Sequence, residues 1–520
     1  MGTSVVRFVV AALASLVIGA AIARVSIDGA GPCRDLSKLT LPGATVTLAE
    51  GVDAGEFTAP VQVNAEAVKA LPSFCRVAAA LRPTNDSDIR IEVWLPASGW
   101  NGKFQAVGNG AFNGSISYAA LMSAITRGYA ASSTDTGHIG GSASFAIGHP
   151  EKVIDFGWRA VHEMTTTAKR IIAAYYSAGP KYSYWNGCSA GGRQAMKEAQ
   201  RFPDDFDGIV AGAPALDWTS RAAQAVRMAQ RLEKTDAARL LAADRERLHR
   251  AVLDACDSTD GVKDGLLEDP SRCAFDPKSL RCSGAGDGAC LTSAQVETAA
   301  LMYSPMTNPD SRRAITGLQR GSELGWTDSG WTASARATGL DHFRFLVFHD
   351  PKWEIAQFSG DRDVARAEDA DAGTINALDP NLKPFISRGG KLVHYHGWSD
   401  PQISPGNSVQ YYSRVLDALG GRTQVHSAYR LFMIPGMGHC GGGEGPNTFD
   451  MLAALEQWVE NGRPPDQIVA SHSTNRIVDR TRPLCPYPEV AVYGGAGSIN
   501  DASNFVCRAT DRDDRRAKDQ

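Results

Sequence analysis

The chain has 520 residues, with 53 Lys and Arg against 57 Asp and Glu and a formal net charge of −4. Its 43% hydrophobic and 21% charged residues are ordinary for a globular protein and exclude a collagen-like, coiled-coil or wholly disordered chain. The absence of a basic excess argues against a nucleic-acid partner. The ten cysteines are an even number, too few for a small disulfide scaffold, and they need an explanation in a chain of this size.

The N-terminus has the pattern of a secretory signal peptide at residues 1–23. Arg7 supplies a positive charge, an uncharged apolar run follows at residues 8–22, and Ala21 and Ala23 fit a small-x-small cleavage site before Arg24. The alternative is a retained membrane anchor, but a run of about 15 residues is short for a span of roughly 20. We therefore expect a secreted or periplasmic protein, with no stable membrane insertion after cleavage, whose cysteines can pair.

Strand-like and helix-like segments alternate between residues 89 and 219. Alternating or apolar segments predict five strands, at residues 90–95, 103–108, 129–133, 182–185 and 206–211. The helical spacing of apolar residues predicts two helices, at residues 155–177 and 192–201. This order predicts βαβ units and a mainly parallel sheet.

A region of different character follows and separates two α/β segments. Its sequence predicts one long helix at residues 221–255 and then a loop-rich stretch at 256–358 that contains four cysteines. Strands are predicted again at residues 391–395 and 429–433, and helices at 408–419 and 448–461. We therefore predict one α/β domain, residues 24–215 and 379–520, interrupted by an inserted domain at 216–378, with a charged tail after Ala509.

Residues 187–191 read GCSAG and match the G-x-S-x-G pattern of a nucleophile elbow. A predicted strand precedes the motif and a predicted helix follows it, so the Ser189 hydroxyl would lie on a sharp turn at a helix N-terminus. An ordinary glycine-rich turn with an exposed serine is the alternative. The strand–turn–helix context favours a nucleophile.

Partners for such a serine follow it in the order acid, then histidine. Asp400 lies just after the predicted strand at 391–395, and His439 lies in a glycine-rich loop after the next strand. We predict that His439 is the general base and that Asp400 orients it. His138 and His396 are the alternatives for the base. Asp135 is the alternative acid, which chain order disfavours.

Two cysteines flank this predicted triad. Cys188 precedes Ser189, and Cys440 follows His439. A disulfide between them would tie the two catalytic loops together, at a Cα separation of about 4.4–6.8 Å. Two unpaired, buried cysteines are the alternative, and they would leave the double adjacency unexplained.

An oxyanion hole needs two N–H donors near the serine. The amide of Ala190, the residue after the serine, is expected to supply one. The other is expected from the glycine-rich loop at residues 107–114, where we favour Gly110, with Ala111 next. An ordinary hairpin turn is the alternative for this loop.

Three carboxylates crowd one loop of the inserted region. Asp257, Asp260 and Asp264 lie within eight residues, and hard oxygen ligands at this density suit Ca²⁺. The spacing is not that of an EF-hand, and a series of Asx turns is the alternative. The sequence has neither a zinc-ligand pattern nor a phosphate-binding loop, so we expect no organic cofactor.

Together these motifs resemble the tannase/feruloyl esterase family, which includes mono(hydroxyethyl) terephthalate hydrolases. The resemblance spans nearly the whole mature chain and rests on four motifs: GCSAGGR at 187–193, RFPDDFDGIVAGAP at 201–214, HGWSDP at 396–401 and GMGHC at 436–440. It implies an α/β-hydrolase fold with a large lid domain, residues 216–378, inserted between the nucleophile and acid strands. It also implies a secreted serine carboxylesterase that cleaves small aromatic esters.

The resemblance implies feruloyl or hydroxycinnamoyl esters as the first choice of substrate. Galloyl esters, as for a tannase, and terephthalate monoesters are the alternatives. The terephthalate hydrolases have a glutamate after the serine, where this chain has Ala190. A non-catalytic, calcium-stabilised binding protein is the alternative of another class, but such proteins usually lose a member of the triad. The oligomeric state is not readable from the sequence.

The resemblance also implies specific ligands and pairings. A structural Ca²⁺ in the lid would be held by the side chains of Asp257, Asp260 and Asp264 and by the carbonyl oxygens of Val262 and Leu266. Five disulfides would use all ten cysteines: Cys33–Cys75, Cys188–Cys440, Cys256–Cys273, Cys282–Cys290 and Cys485–Cys507. The candidate substrate contacts are Arg344, Phe345, Phe348, Trp353, His396 and Trp398.

Overall fold

The computed structural model describes residues 1–2, 30–284, 290–307, 314–327 and 332–509. The predicted signal peptide, apart from its first two residues, lies outside the described residues, and so do its cleavage point before Arg24 and the charged tail after Ala509. Within the described ranges, no helix combines the length and the apolar character that a membrane span requires.

The strands are short and most lie in one sheet. In chain order they are β1 (Ala44–Val52), β2 (Phe74–Leu81), β3 (Ile89–Pro96), β4 (Lys103–Val107), β5 (Ala130–Thr134), β6 (Tyr182–Cys188), β7 (Gly208–Gly212), β8 (Met306–Thr307), β9 (Ala314–Ile315), β10 (Lys391–Gly397), β11 (Tyr429–Ile434), β12 (Ile468–Thr474), β13 (Ile477–Leu484), β14 (Val490–Tyr493) and β15 (Phe505–Arg508). Among the described residues the large sheet has nine strands in the order β1-β2-β3-β5-β4-β6-β7-β10-β11. The strands from β5 to β11 in this order run parallel, while β1, β2 and β3 extend the sheet antiparallel.

Helices follow most of the parallel strands. They are α1 (Ala30–Asp35), α2 (Ala65–Lys69), α3 (Tyr118–Thr126), α4 (Pro150–Ile154), α5 (Ala160–Tyr176), α6 (Ala190–Arg201), α7 (Trp218–Lys234), α8 (Ala242–Cys256), α9 (Ser293–Tyr303), α10 (Ala333–Asp341), α11 (Gly360–Asp371), α12 (Lys383–Ser387), α13 (Gly406–Leu419), α14 (Arg422–His426) and α15 (Met451–Asn461). The predicted helix at 155–177 begins with a π-helical turn at Asp155–Arg159 and continues as α5.

The sheet is covered on both faces, which explains its apolar central strands. Leu392 packs in a cluster with side chains of α5, α6 and α13, while its neighbour Val393 packs with side chains of α3 and α15. Successive strand residues point to opposite faces, so a strand covered on both sides reads as a continuous apolar run. This mixed sheet with helices on both faces and a strand–turn–helix junction at β6 and α6 is an α/β-hydrolase fold, as predicted.

The segment between β7 and β10, called the insertion below, has apolar clusters of its own. The prediction of one continuous helix at 221–255 is wrong in its middle. Two α-helices occupy this range, because α7 ends at Lys234 and α8 begins at Ala242. Thr235 is extended and its side chain caps the next turn, and the Asp244 carboxylate accepts from the amide of Leu241 to start α8. Capping interactions override the continuous helical pattern of apolar residues here.

The region predicted to be rich in loops, 256–358, also contains the α-helices α9 and α10. α9 and α10 each begin after a threonine, Thr292 and Thr332, whose hydroxyl accepts from the backbone amide three residues on. Hydroxyl N-caps of this kind are a local helix-start signal. The sequence reading missed them because the surrounding glycines and cysteines favoured loops.

Candidate active site

Ser189 lies on the sharp turn between β6 and α6. Its backbone φ of 65° and ψ of −121° depart from both strand and helix, and its amide donates to Gly212 O at 2.9 Å. Glycines permit this turn: a Cβ on Gly192 would lie 2.2 Å from Gly212 O, so only glycine lets α6 pack this closely on β7. The serine side chain is therefore presented at the N-terminus of α6, where the helix dipole favours negative charge.

His439 and Asp400 meet on the loops that follow β11 and β10. His439 Nδ1 donates to Asp400 Oδ2 at 2.7 Å, and the aspartate is wholly buried. The backbone amides of Gln402 and Ile403 donate to the other carboxylate oxygen at 2.7 and 3.0 Å. Burial alone would raise the pKa of Asp400, but the charge and hydrogen bond of His439 and the hydrogen bond of His396 lower it well below its ordinary value.

A disulfide joins the serine turn to the histidine loop. Cys188 and Cys440 are bonded with a Cα separation of 6.0 Å, and they flank Ser189 and His439 directly. The structure therefore brings the predicted nucleophile, base and acid together at one edge of the sheet. The rival histidine His138 makes other contacts: its ring is stacked on Phe145 and hydrogen-bonded to Phe112 O at 2.8 Å.

The loop after β4 lies against the start of α6. A Cβ on Gly108 would lie 2.5 Å from the Gly191 Cα, so the two backbones touch. Gln194 on α6 fixes this loop, because its side chain bonds both the backbone amide and the side chain of Asn109 at 3.1 and 3.2 Å. The loop that contains Gly110 therefore lies along the N-terminus of α6. The first backbone N–H groups of this helix, including that of Ala190, have no acceptor within the helix. Sequence reasoning missed the role of Gln194, which only the packing reveals.

A cavity of about 410 Å³ opens beside His439. Its walls come from the loops that follow β10 and β11 and from the insertion, and include Trp398, Glu444, Leu266, Leu267, Arg320 and Leu324. Cavities of this size and mixed character bind small molecules. The structure places Trp398, a predicted substrate contact, on this wall.

Comparison with known proteins identifies the family. A family model described as tannase and feruloyl esterase matches residues 75–508. The chain belongs to the tannase and feruloyl esterase family. An uncharacterized esterase of Xanthomonas campestris pv. campestris is 39% identical to this esterase, with 94% of this chain and 93% of that protein covered. Feruloyl esterase B of Aspergillus niger is 31% identical, with 96% and 99% covered.

Solved structures agree with this assignment. The crystal structure of feruloyl esterase B from Aspergillus oryzae superposes with a TM-score of 0.86 at 32% identity, over 92% of this chain and all of that one. Tannin acyl hydrolase from Aspergillus niger shares the fold, with a TM-score of 0.75 at 22% identity over 91% and 93% of the two chains. The protein is therefore an esterase, and its family acts on small ester substrates.

The other predicted substrate contacts of the esterase lie in different places. Phe345 packs in the apolar cluster that contains Ala190. Phe348 stacks on Trp353 with ring centroids 5.3 Å apart, and both line a separate cavity within the insertion. The Arg344 guanidinium donates hydrogen bonds to Trp353 O and to the carboxylate of Glu354.

His396, also a predicted substrate contact, is wholly buried behind Asp400 instead of on the cavity wall. Its Nε2 lies 3.1 Å from Asp400 Oδ2, and its Nδ1 lies 2.7 Å from Ser408 Oγ. Both ring nitrogens are therefore occupied within the protein.

The insertion contacts the histidine loop through an ionic group centred on the buried His249. His249 on α8 bonds Glu323 at 2.8 Å through Nδ1 and Glu444 at 3.0 Å through Nε2. Burial would lower the pKa of His249, but its hydrogen bonds to the two carboxylates raise it to about 9. This contact connects α8 to the loop that follows His439.

The five disulfides of the esterase join the pairs that the resemblance implies: Cys33–Cys75, Cys188–Cys440, Cys256–Cys273, Cys282–Cys290 and Cys485–Cys507. All ten cysteines lie in the described ranges, and none is free.

Replacing both Cys188 and Cys440 by alanine should reduce stability and activity together. The bond closes a separation of 252 residues, for which chain entropy gives about 5 kcal/mol of stabilisation. We expect kcat to fall about 10–100-fold, because small displacements of reacting groups are this costly. The matched control, Cys282→Ala with Cys290→Ala, opens a separation of only 8 residues and should leave kcat unchanged. Equal kcat values for the two double variants, with thermal melts confirming folding, would contradict this prediction.

The carboxylate loop of the insertion carries the oxygen donors that Ca²⁺ prefers. Asp257 accepts from the amides of Asp264 and Gly265, and Asp260 accepts from the amide of Val262, so the loop also makes the turns named above as the alternative. Burial, with added repulsion from Asp264 and Asp257, raises the pKa of Asp260 to about 6. The chemistry of this donor set, three carboxylates with backbone carbonyls of the same loop, fits Ca²⁺.

A second cluster of ligand-type side chains lies at the far end of α6. His162, Glu198 and Asp205 have ligand atoms within 4.8 Å of one another, and His162 Nδ1 bonds Asp205 Oδ2 at 2.7 Å. The nearby ammonium of Lys169 is attracted to both carboxylates and supplies a compensating positive charge. We assign this cluster a structural role.

Proposed function

We propose that the protein is a secreted serine esterase that cleaves esters of aromatic acids, with feruloyl or hydroxycinnamoyl esters as its main substrates. The observation that carries the proposal is the Cys188–Cys440 bond, which holds the serine turn beside a histidine already bonded to a buried aspartate. Nucleophile, base and orienting acid are the parts that acyl transfer through a covalent intermediate requires.

In the proposed mechanism, Ser189 Oγ attacks the ester carbonyl while His439 Nε2 takes the hydroxyl proton. The amides of Ala190 and Gly110 stabilise the oxyanion. The tetrahedral intermediate then expels the alcohol, which receives the proton from His439 and leaves an acyl-serine. Water, deprotonated by His439, attacks the acyl-serine, and the acid departs as the serine regains its proton. Asp400 holds the histidine tautomer that carries a proton on Nδ1 and stabilises the imidazolium.

The substrate class rests on the relatives. Proteins named feruloyl esterase B match over most of this chain, and the cavity beside His439 has both aromatic and polar walls. Galloyl esters and terephthalate monoesters are the competing substrates, and Ala190 in place of a glutamate disfavours the latter.

A substrate panel tests this order. We expect the highest kcat/KM for methyl ferulate or chlorogenate, and lower values for methyl gallate and the hydroxyethyl monoester of terephthalate. A fluorophosphonate probe should label Ser189, located by peptide mass spectrometry, and Ser189→Ala should not be labelled. A preference for gallate would move the assignment to tannase, and absence of labelling would favour the non-catalytic alternative.

We further propose that Ca²⁺ binds the loop at Asp257, Asp260 and Asp264, with the carbonyl oxygens of Val262 and Leu266, as a structural ion. Its role would be to neutralise the carboxylates and fix the insertion near the cavity wall. Chelation with EDTA should lower the melting temperature by about 5 °C, because a ligand bound only to the folded state stabilises it.

Two controls define the calcium experiment. Asp257→Asn with Asp260→Asn should melt at the lower temperature with or without EDTA, whereas Asp276→Asn, which alters an exposed helix cap elsewhere in the insertion, should keep the EDTA response. Elemental analysis should find about one calcium per chain. An unchanged melt and no bound calcium would contradict the proposal.

Export is the remaining part of the proposal. The signal-like N-terminus and the five disulfides support a secreted or periplasmic location, because disulfides persist in oxidising compartments.

A further inference from the structure

A chain of buried hydrogen bonds leads from Asp400 into the protein core. Its four members beyond Asp400 are all wholly buried and belong to three different elements, β10, α13 and β11: His396, Ser408, His394 and Tyr429. The two histidines are alternate residues of β10, so they face the same side of the sheet. Consecutive groups along this chain lie 2.7–3.1 Å apart.

The surroundings of His396 determine its tautomer. Its Nε2 faces two acceptors, Asp400 Oδ2 at 3.1 Å and Ile403 O at 3.2 Å, and neither can donate a proton. Nε2 therefore carries the hydrogen and donates to the aspartate. In the neutral ring, Nδ1 is then an acceptor, and Ser408 Oγ donates to it at 2.7 Å.

The rest of the chain follows from this assignment. Since Ser408 has used its one proton, its oxygen accepts from His394 Nε2 at 2.9 Å, and His394 Nδ1 accepts from the Tyr429 hydroxyl at 2.7 Å. Burial lowers the pKa of His394 well below its ordinary value, so this ring is neutral. The donors from Tyr429 to His396 all point in one direction, towards Asp400.

We propose that His396 is a positioning residue for the reaction, acting through Asp400 on His439. This proposal rests on the proposed function. His396 and His439 donate to the same carboxylate oxygen, Oδ2, while backbone amides occupy Oδ1. An oxygen shared between two donors attracts each one less strongly. His396 thereby limits how tightly Asp400 holds protonated His439, and Ser408, His394 and Tyr429 keep the His396 donor in place.

Other charged groups surround Asp400 and His439, and these groups are unchanged in the His396 variants. Arg221 on α7 interacts with Asp400 through space, and its buried guanidinium donates to Thr338 Oγ1. On the cavity side, the titratable and charged side chains that line the same cavity as His439 are His249, Arg320 and Glu444. A change in the pH profile of a His396 variant therefore reports on the His396 contact itself.

His396→Phe removes the donor but keeps a ring of similar size. We expect kcat for methyl ferulate to fall about 10–100-fold with KM nearly unchanged, because Asp400 loses a contact that fixes its orientation towards His439 and small displacements of reacting groups are this costly. The acidic limb of the kcat/KM profile should move to higher pH by about 0.5–1 unit, because Asp400 with one donor fewer holds protonated His439 more tightly.

His396→Gln is the rescue variant, since its amide nitrogen can occupy the position of Nε2 and donate to Asp400. It should recover most of kcat and return the acidic limb towards that of the parent esterase. Ser408→Ala and Tyr429→Phe should shift the limb in the same direction by successively smaller amounts, because they act from further along the chain. If His396→Phe does not fold in a thermal melt, Ser408→Ala carries the test.

Two results would overturn the proposal. One is a folded His396→Phe, or Ser408→Ala in its place, with the parent kcat and the parent acidic limb. The other is a His396→Gln variant as impaired and as shifted as His396→Phe, which would mean that only the shape of the imidazole matters. Ser189→Ala, measured alongside, keeps this test distinct from that of the proposed function: an active Ser189→Ala refutes the function, whereas the His396 results refute only the positioning role.

Discussion

Ser189→Ala should lower kcat for methyl ferulate by about 10⁶-fold, which is the loss seen when a catalytic serine is removed from an intact triad. Alanine cannot form the acyl-enzyme, and the remaining rate would come from the oxyanion donors and substrate binding alone. The fold should be unaffected, because the turn at Ser189 depends on its flanking glycines and on the Cys188–Cys440 bond. Steady-state kinetics and a thermal melt measure both effects.

Ser183→Ala is the matched control, since Ser183 is a buried serine at the other end of the same strand, β6. It should keep kcat within about 2-fold, as most substitutions away from a site do. Turnover by Ser189→Ala above one tenth of the parent value, free of contaminating esterase, would refute Ser189 as the nucleophile.

Asp400→Asn should reduce kcat by about 10⁴-fold, the cost of the wrong histidine tautomer. Two backbone amides donate to one carboxylate oxygen, so the asparagine carbonyl oxygen would take that position. Its NH₂ group would then face His439 Nδ1, which must give up its proton to accept from it. The proton would reside on Nε2, the nitrogen that has to receive the serine proton.

Asp135→Asn provides the comparison, because Asp135 is the other acid that the sequence offered. Burial, only partly offset by the amides of Arg90 and Gly137, raises the pKa of this carboxyl to about 7. Both amides donate to a single oxygen, Oδ1, which an asparagine carbonyl can replace. Activity should be retained. Similar losses in the two variants would remove the basis for naming Asp400 the acid.

The positions of the candidate triad could be predicted because their signals are local. A strand, a glycine-flanked serine and a helix occupy consecutive residues, and the two following loops each come directly after an apolar strand. The cysteines next to Ser189 and His439 add a long-range restraint that is still visible in the sequence. The observed distance between His439 and Asp400 agrees with the placement these signals suggest.

The rest depended on packing between segments far apart in the chain. His396 is a predicted substrate contact, but only the packing of α13 and β11 against β10 reveals that it faces inward. The packing partners of residues in the insertion could not be predicted for the same reason. Phe345 and Phe348 are three residues apart, yet they belong to different apolar clusters. The antiparallel strands β1 and β2 were not predicted either, since their pairing connects the sheet to an N-terminal segment without a marked strand pattern.

The insertion has a consequence for oxidative folding. Four of the five disulfides join cysteines that are neighbours in chain order, so each can form as soon as its second cysteine is made. Cys188 is the exception, because four cysteines of the insertion are synthesised before its partner Cys440. If the cysteines oxidised in order of synthesis, Cys188 would join Cys256, and the later cysteines of the insertion would pair with the wrong partners. Correct pairing thus requires either that Cys188 stays reduced until Cys440 is available or that a mispaired disulfide is rearranged by thiol–disulfide exchange.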